Sequence, residues 1–384
     1  MTRANSTTTF NPNHYQVLVG LDVDKRSMSA TFAAEGDRLM KSHRLPYSSA
    51  HLLNYVDKHY PYQRIAFVYE AGPTGFKLYD ELTAAHHKCL VVTPAKVPTA
   101  PGNRVKTNRL DSRKLIQAVR GGDLHYVHVP TQTYRELRHL VQLRDTSVRQ
   151  LTATKCRIKA LLLYENIPYP DPRGGWSAAV ITQLYALPCS AAVRFKLDQL
   201  IGTLYFHFNS AAHVQKEIRR FCQADPELRK SIALLKTIPG IGWIVAAHLV
   251  ARLGDWRQIE NVRSIAGFLG LVSSEHSTGD KENRGRITRS GDSRLRNKLI
   301  QSAWVAINKD DELRAFYRSV YQRQPKKLAA RKAIVAVARK LTTRIYAVLK
   351  QQRPFELRSD FSTAPLTTEE AASLRERLDA AQNE

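Results

Sequence analysis

The chain has 384 residues, with 59 Lys+Arg against 34 Asp+Glu, a formal net charge of +25 and an ordinary 43% of hydrophobic residues. The length exceeds one domain of about 100–200 residues, and the charge is beyond what solubility needs, so two or more cores and a polyanion partner are expected. No apolar run approaches the roughly 20 residues of a membrane span, the first residues lack a signal-peptide core, and Cys89, Cys156, Cys189 and Cys222 form no CxxC pair; this argues against secretion, zinc and disulfides, and for a cytoplasmic, nucleoid-associated protein.

Residues 1–13 are polar and expected to be disordered. The segments YQVLVGLDVDK, SMSATFAAEG and RLMKSHRLPY read as a three-strand meander. A helix from about Ser49 to His59 follows, then a buried strand, RIAFVYE, that stops at Glu70 and breaks at Gly72-Pro73. FKLYDELTAAHH reads as a helix and KCLVVTP as a strand, so residues 14–130 predict an α/β sheet that is at least partly parallel. In such sheets the working groups gather outside the carboxyl ends of strands, where Asp22 and Glu70 fall. A basic, Pro-rich loop with Arg104, Lys106 and Arg109 leads into a helix carrying Asp111 and Arg113, and Asn108 lies one turn before Asp111. An isolated acid at a strand end is more often a cap, but this all-oxygen set suits Mg²⁺ or Mn²⁺.

From Thr131 to about Asn166 a Pro- and Gly-free, heptad-like pattern predicts one long helix packing on a partner; its many Arg and Lys either track phosphates or are solvated flanks. IPYPDPRGGW is a linker, and two helices between Trp176 and Asp225 are expected to form a second antiparallel hairpin, closing a helical region over residues 131–230. LLKTIPGIGWIVAAHL has the form of a helix-hairpin-helix turn, with Gly240 and Gly242 available for close approach to a phosphate; a PGIG turn also simply joins packed helices. Between Lys281 and Lys298, seven Lys or Arg (among them Arg284, Arg286, Arg289, Arg294 and Arg296) interleave with Thr288, Ser290 and Ser293 just before a helix of apolar period. Hydroxyls ringed by arginines at a helix N-terminus suit a phosphodiester, although a basic run is often just a solvated face. The remainder reads as two amphipathic helices joined at Gln324-Pro325, ending residues 231–358, and an acidic tail over 359–384.

The ordered motifs (Asp22 after a hydrophobic strand, EAGPTGF, PAKVPTAPGNRVKTNRLDSRKL, LKTIPGIG, IAGFLGLVSSEHSTGD, RGRITRSGDSRLRNKLIQSAW and RKAIVAVARKL) closely resemble the DEDD transposases of the IS110 insertion-sequence family, from about Tyr15 to Phe355. The resemblance implies a RuvC-like (RNase H-type) domain that binds Mg²⁺, a coiled-coil middle, and a mainly helical C-terminal domain that supplies a hydroxyl nucleophile. It further implies strand exchange between donor and target DNA guided by a structured, element-encoded RNA, in a dimer to tetramer with composite sites. By motif, the acidic positions fall on Asp22, Glu70, Asn108 and Asp111, with KTN here where the family reads KTD. The family's nucleophilic serine falls on Thr288 in TRSG, with Ser290 the alternative, and Arg286, Arg289, Arg294 and Arg296 are the candidates for stabilising the transition state. A RuvC-like nuclease or Piv-type invertase would use the same acids, and the departures at Asn108 and Thr288 keep open a nucleic-acid-binding protein without chemistry.

Overall fold

The computed structural model describes residues 10–36, 39–94, 108–122, 124, 126–275 and 284–357. The chain divides into two compact units, Met1–Val129 and Pro130–Glu384.

In the first unit the expected meander forms β1 (Val17–Val23), β2 (Ser27–Ala34) and β3 (Lys41–Pro46). Then follow α1 (Ser49–His59), β4 (Ile65–Glu70), α2 (Lys77–Ala84), β5 (Lys88–Val92) and α3 (Asn108–Gly121). The sheet order is β3-β2-β1-β4-β5, with β1–β4 and β4–β5 parallel and the meander antiparallel, so the expected α/β sheet is mixed. Alternation divides β1 between two cores. Val17, Val19 and Leu21 pack with Phe67 and Tyr69 against Leu52 of α1 and Leu82 of α2, while Leu18, Ala66 and Val68 meet Leu115, Ile116 and Val119 of α3. Burial on both faces is why these strands read as continuous apolar runs. Phe10 stacks on Tyr15, with ring centroids 5.2 Å apart.

The second unit begins with α4 (Gln132–Tyr164), α5 (Ala178–Ala186) and α6 (Ala191–Ala224). Arg144 Nε donates to Gln215 Oε1 (3.2 Å) and the Ser147 and Ser210 hydroxyls meet at 3.1 Å, so residue number rises along α4 as it falls along α6. The long helix's partner is therefore α6. The two helices expected between Trp176 and Asp225 are α5 and α6, which share a core cluster, and the longer α6 also folds back along α4. Ile158, Leu161 and Leu162 pack on Leu197, Ile201 and Leu204.

Next come α7 (Pro226–Leu235), α8 (Trp243–Leu253), α9 (Val262–Phe268), an antiparallel pair β6 (Ser273–Glu275) and β7 (Arg284–Ile287), then α10 (Ser293–Lys309), α11 (Asp311–Gln322) and α12 (Lys326–Gln351). Where two helices were expected after Trp304 there are three segments. Asp310 breaks the run by accepting from the Leu313 N–H (2.9 Å), and it also pairs with buried Arg344 of α12. One core joins α4, α7, α8, α10 and α12 through Val141, Leu235, Leu249, Leu299 and Leu341. The acidic tail over 359–384 lies outside the described residues, among which no helix is long and apolar enough to cross a membrane.

Candidate functional site

Two sets of candidate residues occur, one in each unit. Asp22 is the penultimate residue of β1 and Glu70 the last of β4. The parallel register pairs Leu21 with Tyr69, so the next position sets Asp22 beside Glu70. Alternation puts both on the face of Gly20 and Val68, which α3 covers.

The approach of α3 to that face is close. A β-carbon at position 20 would lie 2.2 Å from the Ser112 carbonyl oxygen and 3.0 Å from Ile116 Cγ1, so only glycine fits beneath the helix. The Ser112 hydroxyl is 2.7 Å from that of buried Thr31 of β2, which is 2.9 Å from that of Ser42 of β3, fixing α3 to the sheet one turn after its start. Helical backbone begins at Asn108, placing Asn108 and Asp111 one turn apart. Asp111 Oδ1 accepts from Lys114 Nζ at 3.0 Å.

Among the described residues no three His, Cys, Asp or Glu side chains are grouped tightly enough to enclose a metal ion, and the Asn108 side chain lies outside them. The donor set is nonetheless all oxygen, with two carboxylates on adjacent parallel strands. That suits a hard divalent ion which keeps waters and phosphate oxygens in its shell, rather than one caged by protein.

In the second unit Thr288 and Ser290 are exposed just after β7. Their loop is fastened to residues 268–272: the Thr288 N–H donates to the Val272 carbonyl (2.8 Å), Arg289 N–H to Gly270 (3.3 Å) and Asp292 N–H to Phe268 (3.0 Å). Arg289 takes a left-handed backbone (φ 54°), turning the chain between the two hydroxyls. The N-cap of α10 is Asp292, whose carboxylate accepts from the Leu295 N–H (3.0 Å) and pairs with Arg252. The helix N-terminus expected to hold a phosphate therefore already holds a carboxylate.

The cations expected to contact nucleic acid separate into groups. Arg286, Arg289 and Arg294 are exposed. Arg296 is buried, donating to the carbonyls of Leu269 (2.8 Å) and Arg289 (3.3 Å), so it braces the loop from inside. Lys298 pairs with Asp145 of α4 at 2.8 Å. Arg113 is half-buried and donates to the Met40 carbonyl (2.9 Å). Arg104 and Lys106 lie outside the described residues, as do the side chains of Arg109 and Arg284. Gly240 (φ 86°) is accounted for by packing, since a β-carbon there would lie 2.2 Å from the Ser302 carbonyl oxygen of α10, whereas Gly242, the N-cap of α8, faces open space.

Sequence reasoning passed over Asp145, His248 and Arg252. Asp145 accepts from His248 Nε2 (3.0 Å) as well as from Lys298, tying α4 to α8 and α10. Burial alone would raise its carboxyl, but the hydrogen bonds and charges of His248 and Lys298 prevail and hold it well below the usual carboxylate range. The one available signal was that Asp145 is one of two acids in a 33-residue helix.

Two family models match: a DEDD transposase model of the IS110 group over residues 19–165, and the transposase IS116/IS110/IS902 family over residues 232–318. The chain is 32% identical to the protein y4qE of Sinorhizobium fredii over 64% of its own length, spanning 59% of that relative. It is 27% identical to the pilin gene-inverting protein of Moraxella bovis (78% of this chain, 84% of the relative). It is 29% identical to the transposase for insertion sequence element IS1328 of Yersinia enterocolitica (58% of this chain, 65% of the relative). Both models belong to one group of transposases and between them take in parts of both units, so the chain belongs to the transposase IS116/IS110/IS902 family.

Proposed function

We propose that this chain carries out strand exchange between the donor and target DNA of an insertion sequence by two transesterifications, with Thr288 as nucleophile and a structured RNA supplying sequence recognition. The observation that carries the reading is the register that sets Asp22 beside Glu70 on the sheet face that α3 covers. A meander whose first strand also pairs in parallel with β4 supports a RuvC-like first domain, 14–130. A coiled coil over 131–230 and a transposase domain over 231–358 complete the proposed plan, in a dimer to tetramer whose subunits share sites.

Asp22, Glu70 and Asp111 would hold Mg²⁺ or Mn²⁺, with Asn108 offering an uncharged oxygen where the family has a carboxylate. A divalent ion bound there supplies Lewis-acid polarisation of a phosphate oxygen. The Thr288 oxygen attacks the scissile phosphorus and gives up its proton; as the new P–O bond forms, the bond to the departing DNA oxygen breaks and that oxygen takes up a proton. A freed DNA hydroxyl then attacks the protein–DNA ester and restores Thr288. Exposed Arg286, Arg289 and Arg294 neutralise charge developing on the phosphate. Arg296 and the Arg252–Asp292 pair hold the loop that presents the hydroxyl. Inversion of a segment bounded by two sites on one DNA is a second reading, favoured by the relative named for inverting a pilin gene.

The test is recombination by purified protein with donor and target duplexes, a candidate flanking RNA and Mg²⁺, with any covalent product trapped and its attachment mapped by mass spectrometry. An adduct on Thr288 is expected. An adduct on Ser290 keeps the chemistry and moves the nucleophile, and tight binding with no adduct overturns the catalytic reading. Substrates carrying the two sites in inverted orientation distinguish the invertase.

A further inference from the structure

Two open grooves of the second unit, about 670 Å³ and about 370 Å³, share Arg219 in their walls. The first runs between α4 and α6 and is lined by Arg144, His213, Lys216 and Arg219 over a floor that includes Phe208. The second continues from α6 onto α7 and adds Arg229, Lys236 and Trp243. No carboxylate lines either groove among the described residues, although the chain carries 34 acids.

Lys216 and Arg219 of α6, Arg229 of α7 and Lys236 at its end thus line joined grooves with Arg144 of α4, and the α6 stretch from Phe208 to Arg219 alone spans roughly 16 Å at 1.5 Å per residue. A single bound anion needs no such length, whereas a polyanion does. Along the track, Phe208 keeps 57% of its surface exposed to solvent, and at the far end the Arg219 guanidinium stands 5.1 Å from the centroid of the half-buried Trp243 ring. A cation held against an aromatic face is pre-oriented and gives up less freedom on binding phosphate. Exposed aromatics among cations suit unpaired bases, which stack on a ring; the bases of a duplex are already stacked on each other.

We infer that this groove binds single-stranded nucleic acid, with the backbone phosphates on Lys216, Arg219, Arg229 and Lys236 and a base stacked on Phe208. The groove deepens the nucleic-acid reading above and rests on it, but none of its residues belongs to the acid set or the hydroxyl loop.

The test titrates the full-length protein with labelled oligo-dT and oligo-rU of about 20 nucleotides, beyond the ~4–16 of a typical single-strand site, and with a duplex of equal length, across about 50–200 mM salt. Neutralising the four cations (Lys216→Gln, Arg219→Gln, Arg229→Gln, Lys236→Gln) is expected to weaken single-strand binding at least tenfold. The steepness of the log–log salt dependence should fall by about 2–3, since each phosphate contact to a single strand contributes about 0.7. Phe208→Ala is expected to lower single-strand affinity about 5-fold or more with the salt slope unchanged. A larger loss on oligo-rU or on oligo-dT identifies the polymer, and a loss on either supports the groove. An unchanged slope, an equal loss on duplex, or a Phe208→Ala protein that changes particle mass in sedimentation while binding oligonucleotides normally would overturn it. If the fourfold variant does not fold, Arg229→Gln/Lys236→Gln and Phe208→Ala carry the test. Binding is read without chemistry: variants that bind normally but still form the covalent adduct refute the groove alone, and a confirmed groove with no adduct refutes strand exchange alone.

Discussion

In the proposed acid set Asn108 is the member without a charge, one helical turn before Asp111. Asn108→Asp is expected to lower the Mg²⁺ concentration for half-maximal adduct formation several-fold, with the thermal midpoint unchanged, because a charged oxygen binds a hard cation more tightly. Asp145 sits at another such point. Its carboxyl is depressed in the folded protein, so the stability it contributes is fully present above the unfolded value near 4 and is lost as pH falls through the folded one. Asp145→Asn should therefore lower the urea midpoint at neutral pH, and the gap from the parent should close progressively below about pH 4. Gly240 shows where sequence reading meets its limit. A glycine that admits a phosphate and one that admits a neighbouring helix are spelled alike, since both need the β-carbon absent; what separates them is α10, whose Ser302 carbonyl oxygen and Ala306 would lie 2.2 and 2.9 Å from a β-carbon here. Gly240→Ala is expected to cost about 2–4 kcal/mol in denaturant titration.

Among the elements, those governed by local pattern were legible. The strands of the first unit follow from apolar runs between turn residues, and α1 begins where Ser48 caps it, accepting from the His51 N–H. What the sequence did not disclose depends on distant partners. The fold-back of α6 along α4 rests on contacts such as Ser147–Ser210, 63 residues apart. The break between α10 and α11 rests on Asp310, whose carboxylate serves as both helix cap and counterion to Arg344, at 1% and 7% side-chain exposure. Glu312 and Lys340 extend that cluster through Arg344–Glu312 (2.9 Å) and Lys340–Glu312 (2.7 Å). Removing Asp310 takes from buried Arg344 its most buried counterion and leaves Glu312, already shared with Lys340, to balance it. Asp310→Ala is expected to destabilise the second unit by about 3–5 kcal/mol in urea unfolding, whereas Asp311→Ala, on a more exposed pair with Arg314, should cost under about 1 kcal/mol.

For the whole molecule, each unit has its own cores, and all four tryptophans (Trp176, Trp243, Trp256 and Trp304) belong to the second. Tryptophan fluorescence thus follows that unit alone, while far-ultraviolet circular dichroism follows both, and the two unfolding curves are expected not to coincide. The +25 charge was legible at once as a sign of a polyanion partner; which cations face outward was not, because Arg296 and Lys298 share the composition of their neighbours and differ in what they touch. The contact of Gly20 with Ser112 bears on how copies of such an element decay. A copy that keeps the acids proposed to hold metal, Asp22, Glu70 and Asp111, but has gained any side chain at position 20 would pass a motif search as intact. Its α3 could no longer lie down on the sheet, so position 20 belongs beside the acids when living copies are told from fossils.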